Sequence, residues 1–220
     1  MSANTRSPET DRPRRFFSRF YAKISARLEA EGLAALRGEL LSELTGDVVE
    51  VGAGNGMNFR HYPDTVTHVD AVEPEPYLRA LTGRACATAP ATVTVHAGTA
   101  DRLPLADDSV DAAVLCLVMC SLDDRPAALA EIRRVLRPGG TLRFLEHTFA
   151  DTPGLHAVQR LADATFWPLF SGGCHTATDP VAHITEAGFD ITTCRRLRFP
   201  EHRFTQPSAP HVLGTAHAPT

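Results

Sequence analysis

A short apolar strand that runs directly into a glycine-rich turn is the feature that most constrains the fold of this chain. Residues 47–51 (DVVEV) are followed by Gly52, Gly54 and Gly56. Glycine lets a turn tighten and lets a ligand approach the backbone closely. Glu73 follows about 20 residues later at the tip of the next predicted strand, where a carboxylate can accept both hydroxyls of a ribose. The turn therefore predicts a nucleoside site at the end of the first strand.

Apolar strands alternate with helices along most of the chain. The predicted strands are 47–51, 68–73, 93–97, 111–116, 141–146, 191–198 and 210–217. The predicted helices are 55–61, 75–87, 124–136 and 180–187. This alternation gives right-handed crossovers and a parallel sheet. We expect an α/β fold over residues 45–220, a doubly wound Rossmann-like sheet that is mostly parallel with an antiparallel last strand.

Three segments flank or interrupt this pattern. Residues 1–13 are polar and are predicted to be a disordered lead. Residues 14–44 carry apolar side chains at three- and four-residue steps, which predicts two helices that break at Gly32 and form a lid. A basic amphipathic helix can also lie on a membrane surface, and that alternative stays open. The segment at about 148–176 is expected to be an insertion that roofs the pocket.

Composition excludes several classes of protein. A formal net charge of −4 argues against nucleic-acid binding. No apolar run reaches the ~18 residues of a membrane span, so no stable membrane insertion is expected. The five cysteines are odd in number and form no Cys-x-x-Cys pair, which indicates free thiols without a zinc ribbon or a disulfide framework. We expect a cytoplasmic monomer or homodimer without a bound metal.

The residues around the glycine turn also indicate the charge of its ligand. A dinucleotide site normally reads Gly-x-Gly-x-x-Gly, with a pyrophosphate on the helix N-terminus. Here the spacing is Gly-x-Gly-x-Gly, and Glu50 stands two residues before Gly52. A carboxylate beside the turn disfavours an anion and favours a cation such as S-adenosylmethionine. A P-loop is excluded because no Gly-Lys-Ser/Thr follows.

Five spaced motifs then carry a family resemblance over about residues 45–150. They are Glu50–Gly56, Val72-Glu73-Pro74, Gly98-Thr-Ala-Asp-Arg-Leu-Pro104, Asp108-Ser-Val-Asp111 and Glu131–Gly140 (EIRRVLRPGG). In this order they resemble the class I S-adenosylmethionine-dependent methyltransferases of the ubiquinone/menaquinone-methylase-like group. The resemblance implies a Rossmann-like methyltransferase sheet, S-adenosylmethionine as cofactor and a small-molecule acceptor.

The resemblance also implies roles for individual residues. Gly52, Gly54 and Gly56 would lie under the methionine portion of the cofactor, near Glu50, and Glu73 would hold the ribose diol. The expected cofactor contacts further include Tyr21, Pro74, Thr99, Ala100, Leu117 and Met119. Related enzymes place an acidic side chain near the adenine amino group where this chain has Thr99, so a hydroxyl or the backbone would make that contact here.

A narrower resemblance extends over almost the whole chain. Its motifs are Phe59-Arg-His-Tyr-Pro63, Leu117-Val-Met-Cys-Ser121, Phe144-Leu-Glu-His147, Phe166-Trp-Pro-Leu-Phe170 and Pro210-His211. They are similar to the mammalian methyltransferase-like-7 enzymes, which implies methyl transfer to alkyl thiols. That family begins with an apolar membrane anchor that the first residues of this sequence do not resemble, so membrane attachment is not carried over.

Three histidines are the predicted catalytic residues. His147 follows the fifth strand at the edge where α/β sheets place ligands, His175 stands in the predicted insertion, and His211 begins the last strand. A thiol of pKa ~8.5 needs only modest help to ionise, which suits histidine without a metal. Carbon or oxygen methylation of a quinone, phenol or natural product remains the enzymatic alternative. An idle cofactor-binding partner subunit is the non-enzymatic one.

Overall fold

The computed structural model describes residues 12–200 and 206–220, with side chains from Ser18 onward. The strands are β1 (Gly46–Val51), β2 (Val66–Val72), β3 (Thr92–His96), β4 (Val110–Cys116), β5 (Leu136–His147), β6 (Asp190–Arg198) and β7 (Pro210–His217). The helices are α1 (Arg12–Leu28), α2 (Ala34–Leu41), α3 (Pro76–Ala85), α4 (Arg125–Val135), α5 (Pro153–Asp163), α6 (Trp167–Phe170) and α7 (Pro180–Glu186).

The strands form one seven-stranded sheet in the order β3-β2-β1-β4-β5-β7-β6. Strands β1 to β5 pair in parallel, whereas β7 runs antiparallel to both β5 and β6. Because the order reverses direction between β1 and β4, the sheet is doubly wound and opens a crevice at the carboxyl ends of these strands. The predicted α/β class and its antiparallel last strand are confirmed.

Alternating side chains of the sheet build two apolar layers, one on each face. On β1, Val48 packs in one layer and Val49 in the other. The first layer is completed by Leu33, Leu40 and Leu41 of the N-terminal helical segment and its neighbours. The second is completed by side chains of α4 and α7. Both faces are therefore covered, as a parallel sheet requires.

The N-terminal segment forms two helices, as its periodicity predicts. A π-helical turn, Glu29–Leu33, joins α1 to α2, and Gly32 has φ = +122° there. A positive φ is readily available only to glycine, so the helix axis breaks at the predicted residue. Most of the predicted disordered lead, residues 1–11, lies outside the described residues, whereas Arg12 and Pro13 belong to α1.

The structure differs from the predicted elements at two places. The helix predicted for 55–61 is only a 3-10 turn, Phe59–His61. Gly56 has φ = +75°, and Tyr62 is extended ahead of Pro63, so too few residues remain between them for a regular helix. Strand β5 begins at Leu136, earlier than predicted, because the Pro-Gly-Gly stretch joins the strand instead of forming a turn. The predicted insertion contains α5 and α6.

Candidate active site

A cavity of about 790 Å³ opens at the carboxyl edge of the sheet. Its walls include residues at or just after the ends of four parallel strands, namely Gly52, Glu73, Leu117 and His147. Side chains of α1, among them Tyr21, and of the segment around α6 lie opposite them. The volume falls in the range of small-molecule sites, and the position is the one at which α/β sheets bind ligands.

Two of the three predicted glycines line this cavity. Gly52 and Gly54 have φ of +71° and +60°. A Cβ on Gly52 would stand 2.4 Å from Cγ2 of Val118, and a Cβ on Gly54 would stand 3.4 Å from Cε1 of Tyr21. Gly56 does not line the cavity; a Cβ there would stand 2.6 Å from that of Ala85, so this glycine permits close packing of the turn.

The carboxylate of Glu73 closes the turn from the side of β2. Its Oε2 accepts a hydrogen bond from the backbone N–H of Gly54 at 2.8 Å, and its Oε1 accepts one from the N–H of Glu75 at 2.9 Å. Burial raises the pKa of Glu73 to about 7 in spite of these two bonds. Glu73 and the adjacent Pro74 both line the cavity.

Glu50 lies behind the turn and does not line the cavity. It shares a face of β1 with Val48 and is almost fully buried. Its two oxygens accept hydrogen bonds from Nδ2 of Asn58 at 3.0 Å and from the hydroxyl of Tyr62 at 2.7 Å. Burial raises the pKa of Glu50 to about 7. The carboxylate predicted to face the ligand is therefore part of the support beneath the turn.

A buried arginine ties the N-terminal helices to this support. Nε of Arg37 donates to Oε1 of Glu29 at 2.7 Å, and its Nη1 donates to Oδ1 of Asn58 at 2.7 Å. The same nitrogen lies 3.2 Å from Sγ of Cys116. Because Asn58 also contacts Glu50, one polar network runs from the start of α2 to the strand that carries the glycine turn.

A strained turn after β4 forms another wall. Leu117 lines the cavity with φ = +60°, a conformation that bulky residues rarely adopt. The buried carboxylate of Glu146 holds the following residues by accepting hydrogen bonds from the N–H groups of Val118 and Met119, at 3.0 and 3.1 Å. Burial raises the pKa of Glu146 to about 8. Met119 itself packs in the core and does not line the cavity.

Of the segment predicted to lie near the adenine, only part lines the cavity. Gly98 and Ala100 line the cavity, whereas Thr99 does not. The backbone of Thr99 instead forms a short bridge with Arg102. The wall at this position therefore presents a glycine and an alanine to the cavity, with no acidic side chain from position 99.

Two of the three predicted histidines come together in the cavity wall. His147 and His211 pair across β5 and β7, and their ring centroids are 4.4 Å apart. Nδ1 of His211 is 2.8 Å from the carbonyl oxygen of Ala209. Burial lowers the pKa of His211 to about 4, and burial together with His211 lowers the pKa of His147 well below its usual value. Both imidazoles are neutral near pH 7.

His175 lies elsewhere. Its side chain is exposed and does not line the cavity, although its backbone N–H donates to the carbonyl of Cys120 at 2.9 Å.

Two cysteines lie in the cavity wall near His147. Cys120 and Cys174 are buried, line the cavity and stand beside His147. Sequence reasoning missed this group because its members come from three separate segments and form no motif.

The mouth of the cavity is apolar. Phe20, Phe166 and Phe170 line it and remain 52%, 54% and 73% exposed. Leu161 on α5 and Leu169 on α6 are also exposed. A contiguous exposed apolar patch commonly marks a site that receives an apolar ligand or partner.

Known proteins resemble this chain in both sequence and fold. A family model described as a methyltransferase domain matches residues 49–144, the span from the glycine turn to β5. Thiol S-methyltransferase TMT1B of Mus musculus is 31% identical over 213 residues, which cover 91% of this chain and 85% of that protein. Thiol S-methyltransferase TMT1A of Homo sapiens is 28% identical over 198 residues, which cover 84% and 80%. The chain belongs to the S-adenosylmethionine-dependent methyltransferases.

Solved structures agree on the fold. A possible histamine N-methyltransferase from Thermotoga maritima superposes with a TM-score of 0.66 at 21% identity and covers 94% of this chain and 99% of its own. The cyclase SpnF superposes with a TM-score of 0.69 at 18% identity, covering 87% and 81%. Within the described residues, no helix combines the length and apolar character needed to cross a membrane.

Proposed function

We propose that this protein transfers a methyl group from S-adenosylmethionine to the sulfur of a small apolar thiol. One observation carries the proposal. A single cavity has the glycine turn and Glu73 among its walls, together with neutral histidines and buried thiols behind an apolar mouth. The similarity to thiol S-methyltransferases over 91% of the chain supports the choice of sulfur as acceptor.

The residues fit the proposed cofactor. Gly52 and Gly54 form a cradle in the cavity wall, where a Cβ would meet Val118 or Tyr21. The Glu73 carboxylate lies beside this cradle, and we propose that it accepts two ribose hydroxyls. We propose further contacts from Tyr21, Pro74, Ala100 and Leu117, which all line the cavity. S-adenosylmethionine supplies an electrophilic methyl carbon when it is bound.

Four of the predicted cofactor residues take a different role in this proposal. Glu50, Gly56, Thr99 and Met119 do not line the cavity. Glu50 holds Asn58 and Tyr62 beneath the glycine turn, and Gly56 lets that turn pack on Ala85. We propose that these residues position the backbone of the site rather than touch the ligand.

At the acceptor end, the chain orients a thiol and excludes water. Phe20, Phe166 and Phe170 would cover the apolar body of the acceptor at the mouth. We propose that the thiol binds against the rings of His147 and His211, which pack on each other, and that these two residues align it. His175 is exposed outside the cavity and takes no part in this step. Alignment of the reacting atoms supplies most of the acceleration in such a displacement.

We also propose that the protein works in the cytoplasm. The five cysteines are free, and three of them are buried, which suits a reducing compartment. A cofactor-binding subunit without activity is less well supported, because an idle fold would usually lose its glycine turn or its ribose acid, and this chain keeps Gly52, Gly54 and Glu73.

The proposal is tested by a methyl-transfer assay with deuteromethyl-labelled S-adenosylmethionine. Acceptors should include an alkyl thiol, a phenol and a quinone of similar size, with products identified by mass spectrometry. The labelled thioether should be the dominant product. Labelled phenol or quinone without any thioether would overturn the thiol assignment in favour of oxygen or carbon methylation, and no product with any acceptor would favour an idle binding subunit.

A further inference from the structure

We propose that Cys120, His147 and Cys174 form a zinc site that holds the acceptor thiol as its fourth ligand. The inference rests on the proposed thiol acceptor and deepens it. One ligand atom from each of the three residues lies within 4.8 Å of the other two. A tetrahedral zinc site with Zn–S bonds of about 2.3 Å spaces its ligand atoms roughly 3.5 to 3.8 Å apart. Each atom therefore needs to move by about an ångström or less.

The two cysteines are well placed to act as ligands. Both side chains are buried, with 2% and 7% exposure, and their sulfur atoms lie within 4.8 Å of each other. Cys120 belongs to the turn after β4, and the backbone N–H of the residue after Cys174 donates to the carbonyl of Cys120 at 2.9 Å. The turn after β4 and the loop after α6 are thereby fastened together at this point.

The histidine supplies the second, independent observation. Nδ1 of His147 is buried and has no hydrogen-bond partner among the described residues. A buried imidazole nitrogen without a partner costs free energy unless it binds something.

The open side of the cluster faces the cavity, because all three residues line it. Structural zinc sites take four protein ligands, whereas catalytic sites take three and leave one position open. Two sulfurs and one nitrogen are the soft donors that select zinc over magnesium or calcium. The composition and the open position together describe a catalytic rather than a structural site.

This inference departs from the expectation of a metal-free enzyme. That expectation relied on the lack of closely spaced ligands in the sequence. Here the ligands come from the turn after β4, the end of β5 and the loop after α6. The strand order places β4 beside β5, so residues far apart in the sequence meet at one sheet edge.

The chemistry balances without an oxidant or a reductant. The S–H bond of the acceptor breaks as its S–Zn bond forms, and the proton leaves to water. The sulfur lone pair then forms the new S–CH₃ bond while the bond between the methyl carbon and the sulfonium sulfur breaks, releasing S-adenosylhomocysteine. The product is a neutral thioether, a weaker zinc ligand than a thiolate, and it leaves the site.

The first test measures metal binding alone, so it is independent of catalysis. The full chain is reduced with a phosphine, freed of metal and titrated with Co²⁺ and then Zn²⁺. We expect one Co²⁺ per chain, with thiolate-to-cobalt charge-transfer and tetrahedral d–d absorption that Zn²⁺ abolishes. Failure of the reduced protein to bind either ion would overturn the proposal. If the reduced protein binds no metal and loses two thiol groups on exposure to air, the two cysteines form a redox pair instead of a metal site.

The second test uses matched variants. Cys120→Ser, Cys174→Ser and His147→Gln should each weaken metal binding at least about a hundredfold, more than the loss of a supporting contact would. Cys194→Ser, at an exposed cysteine of β6, should bind metal as the unmodified chain does. Binding of S-adenosylhomocysteine reports that each variant is folded. If the Cys120→Ser and Cys174→Ser variants are folded and still give the cobalt spectrum, the proposal that these cysteines bind the metal is wrong.

The third test asks whether the acceptor occupies the open position. An alkyl thiol is added to the cobalt protein without S-adenosylmethionine, and the matching alcohol serves as control. The thiol alone should shift and strengthen the charge-transfer band. An unchanged spectrum would overturn the acceptor as ligand while leaving the proposed methyl transfer intact. A shifted spectrum in a protein that never methylates thiols would instead uphold the metal site and refute the proposed function.

Discussion

The carboxylate of Glu73 accepts a hydrogen bond from the backbone N–H of Gly54 at 2.8 Å. The predicted ribose acid and the glycine cradle are therefore one connected unit, although they come from different strands. A second bond from the N–H of Glu75 fixes the other oxygen. The carboxylate is thus oriented before any ligand arrives, which reduces the cost of ordering it on binding.

Glu73→Gln tests this unit. The change removes the charge while keeping the size of the side chain, so two charge-assisted hydrogen bonds to the ribose weaken, each worth about 1.5 to 3 kcal/mol. Calorimetry should show S-adenosylhomocysteine binding at least tenfold weaker. The matched control is Asp70→Asn in β2, the strand that Glu73 follows; Asp70 pairs with His96 and does not line the cavity. Equal affinities of the two variants would contradict the assignment of Glu73.

Glu50 predicts a pH dependence of stability. Burial raises its pKa to about 7 in the folded state, against 4.5 without burial. Between these values the folded state holds a proton that the unfolded state has released, so the contribution of Glu50 to stability falls as pH rises from about 4.5 to 7. The expected loss is on the order of 3 kcal/mol.

Glu50→Gln should remove this contribution. A glutamine amide can accept from Asn58 and donate to the Tyr62 oxygen, so both contacts survive without a titrating group. Urea unfolding followed by circular dichroism at pH 5 and pH 8 should show a smaller difference in the free energy of unfolding for the variant. The same difference in both proteins would mean that Glu50 titrates normally.

Gly52→Ala tests the strained turn. Its φ of +71° costs an L-residue roughly 1 to 2 kcal/mol, and the new Cβ would stand 2.4 Å from Val118. We expect the free energy of unfolding to fall by about 1 to 3 kcal/mol, together with weaker cofactor binding. Gly83→Ala in α3, where a Cβ meets nothing within 4 Å, should instead raise stability by roughly 0.5 to 1 kcal/mol. A neutral Gly52→Ala would show that the turn relaxes freely.

The sheet was predictable from the sequence because its strands are short apolar runs bounded by turn residues. The positions of the glycine turn and of Glu73 were predictable as well, because each directly follows one of these strands. The position of Glu50 was not, because the face of β1 on which a side chain lies depends on packing against Tyr62 and Asn58. The missing helix at 55–61 was decided by Gly56 and Pro63, whose effect on so short a segment outweighs its apolar spacing.

The cavity wall around the two histidines was least predictable. His147 and His211 stand 64 positions apart in the sequence numbering and meet only because β7 pairs antiparallel with β5. Cys120 and Cys174 join them through loop contacts that no periodicity encodes. His175, next to Cys174, points to the surface instead, because neighbouring residues in a loop do not share a direction.

The apolar mouth predicts a preference for longer alkyl thiols. Burying one methylene gains about 0.8 kcal/mol, so kcat/KM should rise by roughly two- to fourfold per methylene until the mouth is filled. Phe170→Ala should flatten this slope, because Phe170 lines the mouth and is 73% exposed in the free protein. Val158→Ala, at an exposed position of α5 that does not line the cavity, is the control. A slope that is equal in both variants would place the acceptor elsewhere.

The most direct measurement is the ratio of kcat/KM for a thiol and for the alcohol of the same carbon skeleton, with S-adenosylhomocysteine formation as readout. The chain should methylate the thiol and should show no turnover of the alcohol above background. Glu73→Gln should reduce turnover of the thiol when the cofactor is below saturation. Turnover of the alcohol at a rate equal to or above that of the thiol, or none of either, would contradict the assignment of this protein as a thiol methyltransferase.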